Sequence, residues 1–353
     1  MFFPKIFSGK FGTRNSQRSF IRASWDQGFV DQKNPLQIIP RFVKRNSMAA
    51  VMFSVAGLLL TLLLTETTTA SALHFASSFR LCDRRRIDKI VMNLSGIAVD
   101  ERSGKLLLVV NKPMRILVYN PATNMVERTA HTDAVNDGEG VTWLGANRVG
   151  GAYEFAVVDE QAKTRKIVKD PSSSRIVVFD ADTLQVTGET YGVDVDILHN
   201  KGLEGLAYDA SRERFYAVQE KSPMRVIAIP RGDDREPGGG YETVIDNQTA
   251  FRGVGITDLA GATYVVDGGL LLLLSQEQRR LALFDVENGR FFEDEVFDVS
   301  GALHPEGVAY DAQRGKLYVV GEPNEIFVYC RVVEELPEEV VVLEELTNLV
   351  SVG

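Results

Sequence analysis

Most of the chain alternates between short apolar runs and short polar turns. The runs are four to six residues long and rich in β-branched and aromatic side chains, as in Leu106 to Val110 and Ile116 to Tyr119. The turns between them contain Gly, Asp or Asn, as in Asp100 to Lys105. Such runs predict antiparallel strands joined by tight turns. Between residues 87 and 331 no segment shows the helical pattern that a bundle or a doubly wound fold requires.

The pattern repeats five times. Each repeat contains a glycine at the start of its first apolar run, and these repeat glycines are Gly96, Gly140, Gly205, Gly261 and Gly307. Their spacing of 44 to 65 residues leaves room for four strands, the last of them more polar, as in Glu293 to Val299. Repeats of this length with four strands are typical of propeller blades. The sequence therefore predicts an all-β, five-bladed β-propeller of four-stranded blades over residues 82–331, preceded by one N-terminal transmembrane or signal-anchor helix.

The N-terminal helix is expected because residues 46–65 carry no charge. About 20 residues of helix span roughly 30 Å, close to the thickness of a bilayer core. Arg41, Lys44 and Arg45 precede this segment and Glu66 follows it, so the positive-inside rule places the N-terminus in the cytoplasm. We expect a basic cytoplasmic leader (residues 1–47), an anchor or signal peptide (residues 48–72), a single pass through the inner membrane and a propeller in the periplasm.

Two sequence features leave alternatives open at this end of the chain. Ala70-Ser71-Ala72 is a possible signal-peptidase site, so the apolar segment could be cleaved after Ala72. Met48 could be the true start, in which case residues 1–47 are not translated. A third reading makes the segment a buried helix of a soluble domain.

The charge of the chain is divided unevenly. The formal net charge is −9, yet residues 1–47 carry nine basic and two acidic side chains, or +7, so the remainder carries −9 − 7 = −16. An acidic body repels phosphates, which argues against nucleic acid as a partner. The glutamate-rich tail, residues 332–353, is expected to form a peripheral strand or helix with a loose end, outside any site. We expect a monomeric propeller.

The residues before the repeat glycines should form a ring around the channel, because inner strands line the channel of a propeller. They are Ser95, Glu139, Glu204, Ala260 and Glu306. Two carboxylates about 5 Å apart repel each other by roughly 3 kcal/mol at an effective dielectric near 20, so three would require compensation. Oxygen ligands of this kind suit Ca²⁺, and Ser95, Glu139, Glu204 and Glu306 are the candidate ligands. Alternatively, the glutamates accept hydrogen bonds from backbone amides within the blades.

A second ring is expected at the mouth of the channel, about fifteen residues further along each repeat. Its members are Asn111, Glu160, Glu220, Gln276 and Glu322. In four blades an arginine opens the third strand, namely Arg115, Arg175, Arg225 and Arg280. Such a rim either forms salt bridges between blades or binds an anionic group of a ligand through the arginines.

The two cysteines, Cys82 and Cys330, flank the repeats. In an oxidising compartment a bridge between them would close a loop of about 250 residues and stabilise the fold by several kcal/mol. Two unpaired thiols are the alternative.

Several phrases in the repeats resemble the SdiA-regulated (YjiK-like) family of bacterial propeller proteins. They include Asn93-Leu-Ser-Gly-Ile-Ala98, Asn200 to Asp209, and His304-Pro-Glu-Gly-Val-Ala-Tyr310 followed by Val320-Gly-Glu-Pro-Asn324. The resemblance covers about residues 87–330 and implies an envelope protein behind a membrane segment, without a firmly assigned activity. The inner ring is also similar to the Ser/Glu/Glu/Ser/Glu calcium ligands of the calcium-activated nucleotidase (apyrase) family. Ala260 departs from that pattern.

Two functions follow from these features. The first is a membrane-tethered propeller that binds an envelope ligand or protein and holds a structural Ca²⁺ in its channel. The second is a Ca²⁺-dependent hydrolase of phosphoanhydrides or esters that uses the Glu/Arg rim. No nucleophile elbow or P-loop motif is present in the sequence, so catalysis by an activated serine or by a Walker loop has no support.

Overall fold

The structure, a computed structural model, describes residues 75–147, 150–160, 173–195, 202–232, 240–265 and 269–332. The predicted leader and anchor, residues 161–172 and the tail from residue 333 lie outside the described residues. Within the described ranges, no helix has the length and apolar character needed to cross a bilayer.

The described chain forms five four-stranded antiparallel sheets, which confirms the five-bladed propeller. A short 3₁₀ helix, Ala76–Ser78, precedes the first strand, β1, which comprises Phe79–Arg86. Blade 1 consists of β2 Leu94–Asp100, β3 Lys105–Val110, β4 Arg115–Asn120 and β5 Met125–His131. Blade 2 consists of β6 Gly138–Ala146, β7 Tyr153–Asp159, β8 Ser173–Asp180 and β9 Val186–Asp194.

The remaining three blades follow the same order. Blade 3 consists of β10 Leu203–Asp209, β11 Arg214–Gln219, β12 Arg225–Pro230 and β13 Glu242–Ile245. Blade 4 consists of β14 Gly261–Val265, β15 Leu270–Ser275, β16 Arg280–Asp285 and β17 Arg290–Asp298. Blade 5 consists of β18 His304–Asp311, β19 Lys316–Glu322 and β20 Glu325–Arg331, with β1 as its outermost strand.

The ring of blades is thus closed by strands from both ends of the repeat region. β1 pairs with β20 from Phe79↔Arg331 to Arg86↔Glu325, with a bulge between Leu81 and Asp83. Cys82 lies at that bulge and is disulfide-bonded to Cys330, with the two Cα atoms 5.7 Å apart. Blade 5 is therefore held together by backbone hydrogen bonds and by one covalent bond.

A short helix that the sequence pattern did not predict lies between blades 3 and 4. This helix, α1, comprises Gln248–Gly253. Asn247 caps it, because its side-chain oxygen accepts the backbone N–H groups of Thr249 and Ala250. Phe251 is fully buried, so the helix is fixed by one aromatic anchor as well as by its cap.

Apolar side chains fill the seams between neighbouring blades. Among the residues that the structure describes, the buried hydrophobic side chains fall into five clusters, and each cluster draws its members from two adjacent blades. The cluster between blades 5 and 1, for example, includes Leu106, Tyr119, Tyr318 and Ile326. This arrangement explains the apolar runs on both faces of the middle strands, since each blade is covered on both sides.

The repeat glycines form the narrow waist of the channel. A Cβ atom on Gly96 would lie 2.3 Å from the backbone oxygen of Glu139, and one on Gly140 would lie 2.5 Å from the backbone nitrogen of Leu206. In each case the obstacle is the backbone of the next blade, so no larger residue fits without moving a strand. The five inner strands therefore meet at their glycines, and this contact fixes the position of the residues that precede them.

Candidate functional site

One mouth of the channel opens into a polar cavity of about 270 Å³. Twelve of the described residues line it; six of them carry a carboxyl group and one, Lys112, carries an amine. Carboxylates thus dominate the chemistry of this cavity, which we call the channel cavity.

The predicted inner ring lies in this cavity. Ser95, Glu139, Glu204 and Glu306 all line it, and Ala260 occupies the fifth equivalent position. Each of these residues directly precedes a waist glycine, so all five are held at equivalent places in their blades. The structure thereby brings together the four residues predicted as metal ligands.

Four of the five predicted rim residues also line the cavity, namely Asn111, Glu220, Gln276 and Glu322. Two of them bind the inner ring of the next blade: Nδ2 of Asn111 donates to Oε1 of Glu139, and Nε2 of Gln276 donates to Oε1 of Glu306. The two rings therefore form one hydrogen-bonded network that crosses the blade boundaries.

Glu160, the fifth predicted rim residue, has a different environment. It is 5% exposed and is not among the residues that line the cavity. Its Oε1 accepts the backbone N–H of Gly202 at 2.9 Å, so it too bridges to the next blade. Burial raises the pKa of this carboxyl, with repulsion from Asp137 adding to the effect and the bond from Gly202 opposing it.

The predicted arginine ring does not face the channel cavity, since none of the four arginines lines it. Arg175 binds the buried Asp159 through Nε at 3.0 Å and Nη2 at 2.9 Å, and Arg225 donates to Gln219 at 2.7 Å. In the sheet register each arginine lies opposite the last residue of the second strand, as in Asp159↔Arg175 and Gln219↔Arg225.

The alternation of side chains along a strand explains this correction. In each of these four blades the rim residue comes directly after the residue that pairs with the arginine, as Glu220 comes after Gln219. Successive side chains of a strand point to opposite faces of the sheet, so the arginine and the rim residue face different ways. The other two arginines also have other surroundings: Arg115 donates to the backbone oxygen of Lys89 at 3.3 Å, and Arg280 is exposed near Gly255. An anion in the channel cavity therefore would not meet the arginines.

Burial and mutual repulsion raise the pKa values of the glutamates of the inner ring. Burial raises the pKa of Glu139 to about 8; the side-chain bond from Ser95 opposes the shift, and Asp137, Glu160 and Glu306 add to it. Burial likewise raises the pKa of Glu306 to about 8, with repulsion from Glu322 adding to the shift and the bond from Gln276 opposing it. The pKa of Glu204 is raised well above its usual value by the same two causes. Without a compensating cation, these carboxyls therefore hold protons near neutral pH.

A tight acidic cluster lies beside the inner ring on the side of blade 2. Carboxylate oxygens of Asp137, Glu139 and Glu160 lie within 4.8 Å of one another. Lys112 forms an ion pair with Asp137 at 3.2 Å, but its side chain is 66% exposed. The Oδ1 atom of Asn111, a residue only 8% exposed, has no hydrogen-bond partner among the described residues. A buried acceptor beside clustered carboxylates is an environment that favours a bound cation.

Sequence reasoning missed a third set of residues, which lie three positions before the repeat glycines. Among them, Asn93 and Asp258 line the cavity and Asp137 belongs to the acidic cluster. Asp258 supplies a carboxylate in blade 4, where Ala260 leaves the inner ring without an oxygen. It is bound by the hydroxyl of Ser275 and the backbone N–H of Glu277. The repeat register gave only a weak signal, because the equivalent residues of the other three repeats, Asn93, Gly202 and His304, are not acidic.

The fold and this site define the protein as a five-bladed β-propeller with a carboxylate-lined channel mouth. A sequence profile of the SdiA-regulated family matches residues 72–330, which is most of the chain. The chain therefore belongs to the SdiA-regulated family, as its repeat motifs predicted.

Solved structures with similar folds are more distant. A regucalcin from Agrobacterium tumefaciens, described as a calcium-binding protein, is 13% identical, with a TM-score of 0.45 over 72% of this chain and 98% of that one. A gluconolactonase from Xanthomonas campestris is 13% identical, with a TM-score of 0.43 over 70% and 90% of the two chains. A luciferin-regenerating enzyme is 11% identical, with a TM-score of 0.45 over 70% and 94%. These similarities concern the fold alone, and we transfer no residue or activity from them.

Proposed function

We propose that this protein is a cation-dependent binding propeller whose channel cavity holds Ca²⁺ and binds an oxygen-rich ligand of the cell envelope. The observation that carries the proposal is the imbalance of charge in the cavity, where six carboxyl groups face one amine. Ser95, Glu139, Glu204 and Glu306 are the residues that would hold the ion.

The residues present fit calcium better than a softer metal. Within the described residues, the lining of the cavity contains no histidine or cysteine, and apart from the Lys112 amine its polar side chains are carboxylate, amide and hydroxyl groups. Hard cations take six to eight oxygen ligands, and Ca²⁺ tolerates the irregular geometry that different blades offer. The Oδ1 atom of Asn111, which has no hydrogen-bond partner among the described residues, is a further oxygen ligand for the ion next to Glu139. A bound Ca²⁺ would supply positive charge that attracts the hydroxyl oxygens of a polyhydroxylated ligand.

The channel residues would position such a ligand. The cavity of about 270 Å³ is open at the mouth, and Glu220, Gln276 and Glu322 surround the space next to the inner ring. Of these, Gln276 already orients Glu306 through a hydrogen bond. Amide and carboxylate groups at the mouth can bind hydroxyl groups of a ligand, so neutral sugars are the class that we favour.

The alternative function, a Ca²⁺-dependent hydrolase of phosphoanhydrides or esters, has less support. That function needs cations at the rim to bind an anionic substrate and stabilise developing charge. The four arginines predicted for this role contact Asp159, Gln219, the backbone or solvent, outside the cavity lining. We therefore favour binding over catalysis.

Calcium binding is tested by isothermal titration calorimetry on the purified chain. We expect one Ca²⁺ per chain, and a Glu204→Gln variant should bind it at least tenfold more weakly because one ionised ligand is lost. A Glu293→Gln variant is the matched control, since Glu293 is exposed on the outer strand of blade 4. Equal Ca²⁺ affinity of the wild type and the Glu204→Gln variant would contradict the proposed site.

We also propose that residues 46–65 tether the propeller to the inner membrane, with the propeller on the periplasmic side. The support is the uncharged segment between Arg45 and Glu66 together with the basic leader. Protease added to spheroplasts that produce the chain should digest the propeller while a cytoplasmic marker survives. Protection of the propeller until the cells are lysed would show that this topology is wrong.

A further inference from the structure

A second cavity of about 270 Å³ lies at the seam between blades 5 and 1, and we call it the seam cavity. Its walls come from both blades and include the Cys82–Cys330 disulfide. None of its lining residues lines the channel cavity. The two cavities are therefore separate, and the proposed calcium site does not account for this one.

The strand register explains how the seam cavity is built. In blade 5, Lys316 pairs with Cys330 and Tyr318 pairs with Val328, so these four side chains share one face of the sheet. In blade 1, Leu106 pairs with Tyr119 on the face opposite. The cavity lies between these two faces, next to the apolar cluster that seals the seam. Most of its wall is therefore aliphatic or aromatic.

The lining of the seam cavity includes two hydrogen-bond donors, the Tyr318 hydroxyl and the Lys316 ammonium. Tyr318 is 1% exposed, and its hydroxyl has no hydrogen-bond partner among the described residues. Lys316 forms no ion pair within the part of the chain that the structure describes. The acceptors nearby are occupied, because Arg85 donates to the carboxylate of Asp83 at 2.6 Å and to the backbone oxygen of Pro121. A buried hydroxyl without a partner costs free energy, so a ligand that accepts its hydrogen bond would be favoured.

We propose that the seam cavity binds a small carboxylate with an apolar body, such as a medium-chain fatty acid. The apolar body would pack against Leu106, Ile326 and Val328. The carboxylate would accept hydrogen bonds from the Tyr318 hydroxyl and the Lys316 ammonium. Charge complementarity selects the anion, since Asp83 is already neutralised by Arg85 and the ammonium of Lys316 is not. Because the ligand contacts both blades, its binding would also stabilise the closure of the propeller.

The test is a calorimetric titration of the purified chain with octanoate at about 0.15 M salt and in the presence of a chelator. The chelator removes any contribution from a channel cation. We expect one octanoate per chain, binding of octan-1-ol at least fivefold weaker, and no detectable binding of octylammonium. No binding of octanoate at millimolar concentration, or equal binding of octylammonium, would overturn the proposal.

Variants locate the binding site. Tyr318→Phe should weaken octanoate binding at least fivefold, while the melting temperature of the free protein stays the same or rises, because a hydroxyl without a partner is removed. Tyr216→Phe is the matched control, since Tyr216 occupies the equivalent position of blade 3, also has a buried hydroxyl without a partner, and does not line the seam cavity. Lys316→Gln should weaken binding at least tenfold. Equal affinities of the wild type, the Tyr318→Phe variant and the Lys316→Gln variant would place octanoate elsewhere and refute the assignment.

One further variant separates this inference from the proposed function. Glu204→Gln alters the channel cavity and should leave octanoate affinity unchanged. If octanoate binding fell in this variant but not in the Tyr318→Phe variant, the anion would be bound in the channel, and the seam proposal would be wrong even if the calcium site is correct.

Discussion

Removal of divalent cations with a chelator is expected to lower the melting temperature of the protein by roughly 10 °C at pH 8 and by much less at pH 5. The reason is the ring of Glu139, Glu204 and Glu306 in the channel cavity. At pH 5 these carboxyls can hold protons, so the metal-free ring carries little charge. At pH 8, close to the pKa of Glu139 and Glu306, protons compensate only part of the charge, and a cation is needed to compensate the rest.

The pKa values give the direction of the effect. The pKa of Glu139 and of Glu306 is raised from 4.5 to about 8, so between these two values the folded state binds more protons than the unfolded state. The free energy of unfolding of the metal-free protein must therefore fall as the pH rises from about 4.5 to about 8. One pKa unit corresponds to about 1.4 kcal/mol, but both groups line a cavity that is open at its mouth, where solvent screens part of the effect, so we expect a total loss of about 4 kcal/mol.

Substitutions in the ring should reverse part of this loss. A Glu204→Gln variant removes one of three like charges, so its metal-free form should melt at a higher temperature than the metal-free wild type at pH 8. The measurement is differential scanning calorimetry from pH 5 to pH 8, with and without chelator, and Glu293→Gln again serves as control. If chelation left the melting curve of a preparation unchanged, although elemental analysis had found calcium in it, the carboxylates would have to be neutralised by protons and backbone bonds alone.

The inner ring could be predicted because it depends on a local feature that recurs. Each waist glycine is required where two inner strands touch, as the close approach of Gly96 to the backbone of Glu139 demonstrates. The glycine therefore marks the same depth along the channel in all five repeats, and the residue before it lies at that depth. Asp137 and Asp258 occupy equivalent positions, three residues before the glycine. The equivalent residues of the other repeats are Asn93, Gly202 and His304, so no single residue type marks this position.

The arginines illustrate what a sequence pattern leaves undetermined. An arginine does open the third strand in four blades. Its side chain is placed by pairing with the preceding strand, as for Arg175 with Asp159, and does not point toward the channel. A shift of one residue reverses the side to which a strand residue points. Spacing alone cannot distinguish these two cases when both neighbouring residues are polar.

The closing strand was missed for a different reason. The fifth repeat contains only three strands of its own, and its fourth, β1, precedes the first repeat. A contact between residues so far apart leaves no local pattern in the sequence. Only the cysteines indicated it, because Cys82 and Cys330 flank the repeat region on either side, and in the structure they join β1 to β20.

Loss of the Cys82–Cys330 disulfide is expected to lower the free energy of unfolding by about 4 kcal/mol and the melting temperature by roughly 10 °C. The bond joins residues separated by 248 positions, so it removes much conformational entropy from the unfolded chain. Cys82 is exposed, so a reductant can reach the bond without prior unfolding. Melting of the wild type with and without dithiothreitol should therefore give the same difference as comparison with a Cys82→Ser variant.

The Cys82→Ser/Cys330→Ser double variant provides the control, because it should melt like the reduced wild type and should not respond to dithiothreitol. A melting temperature that stays constant while thiol quantification shows full reduction would mean that the bond contributes nothing to stability. In that case the hydrogen bonds between β1 and β20 would be sufficient to close the ring.

Hydrogen exchange separates the two ways in which the bond can act. If it acts only on the unfolded chain, its loss should reduce the free energy of global opening equally for amides in every blade. If it also holds β1 in place, amides of β1 and β20 should exchange much faster in the double variant. The exchange rates of amides of β10 to β12 in blade 3 should then rise only as far as the lower free energy of global unfolding requires. We expect the second result, because β1 is the outermost strand of blade 5 and most of its side chains are at least partly exposed. Exchange that increases uniformly across blades 3 and 5 would show that backbone pairing alone keeps β1 closed.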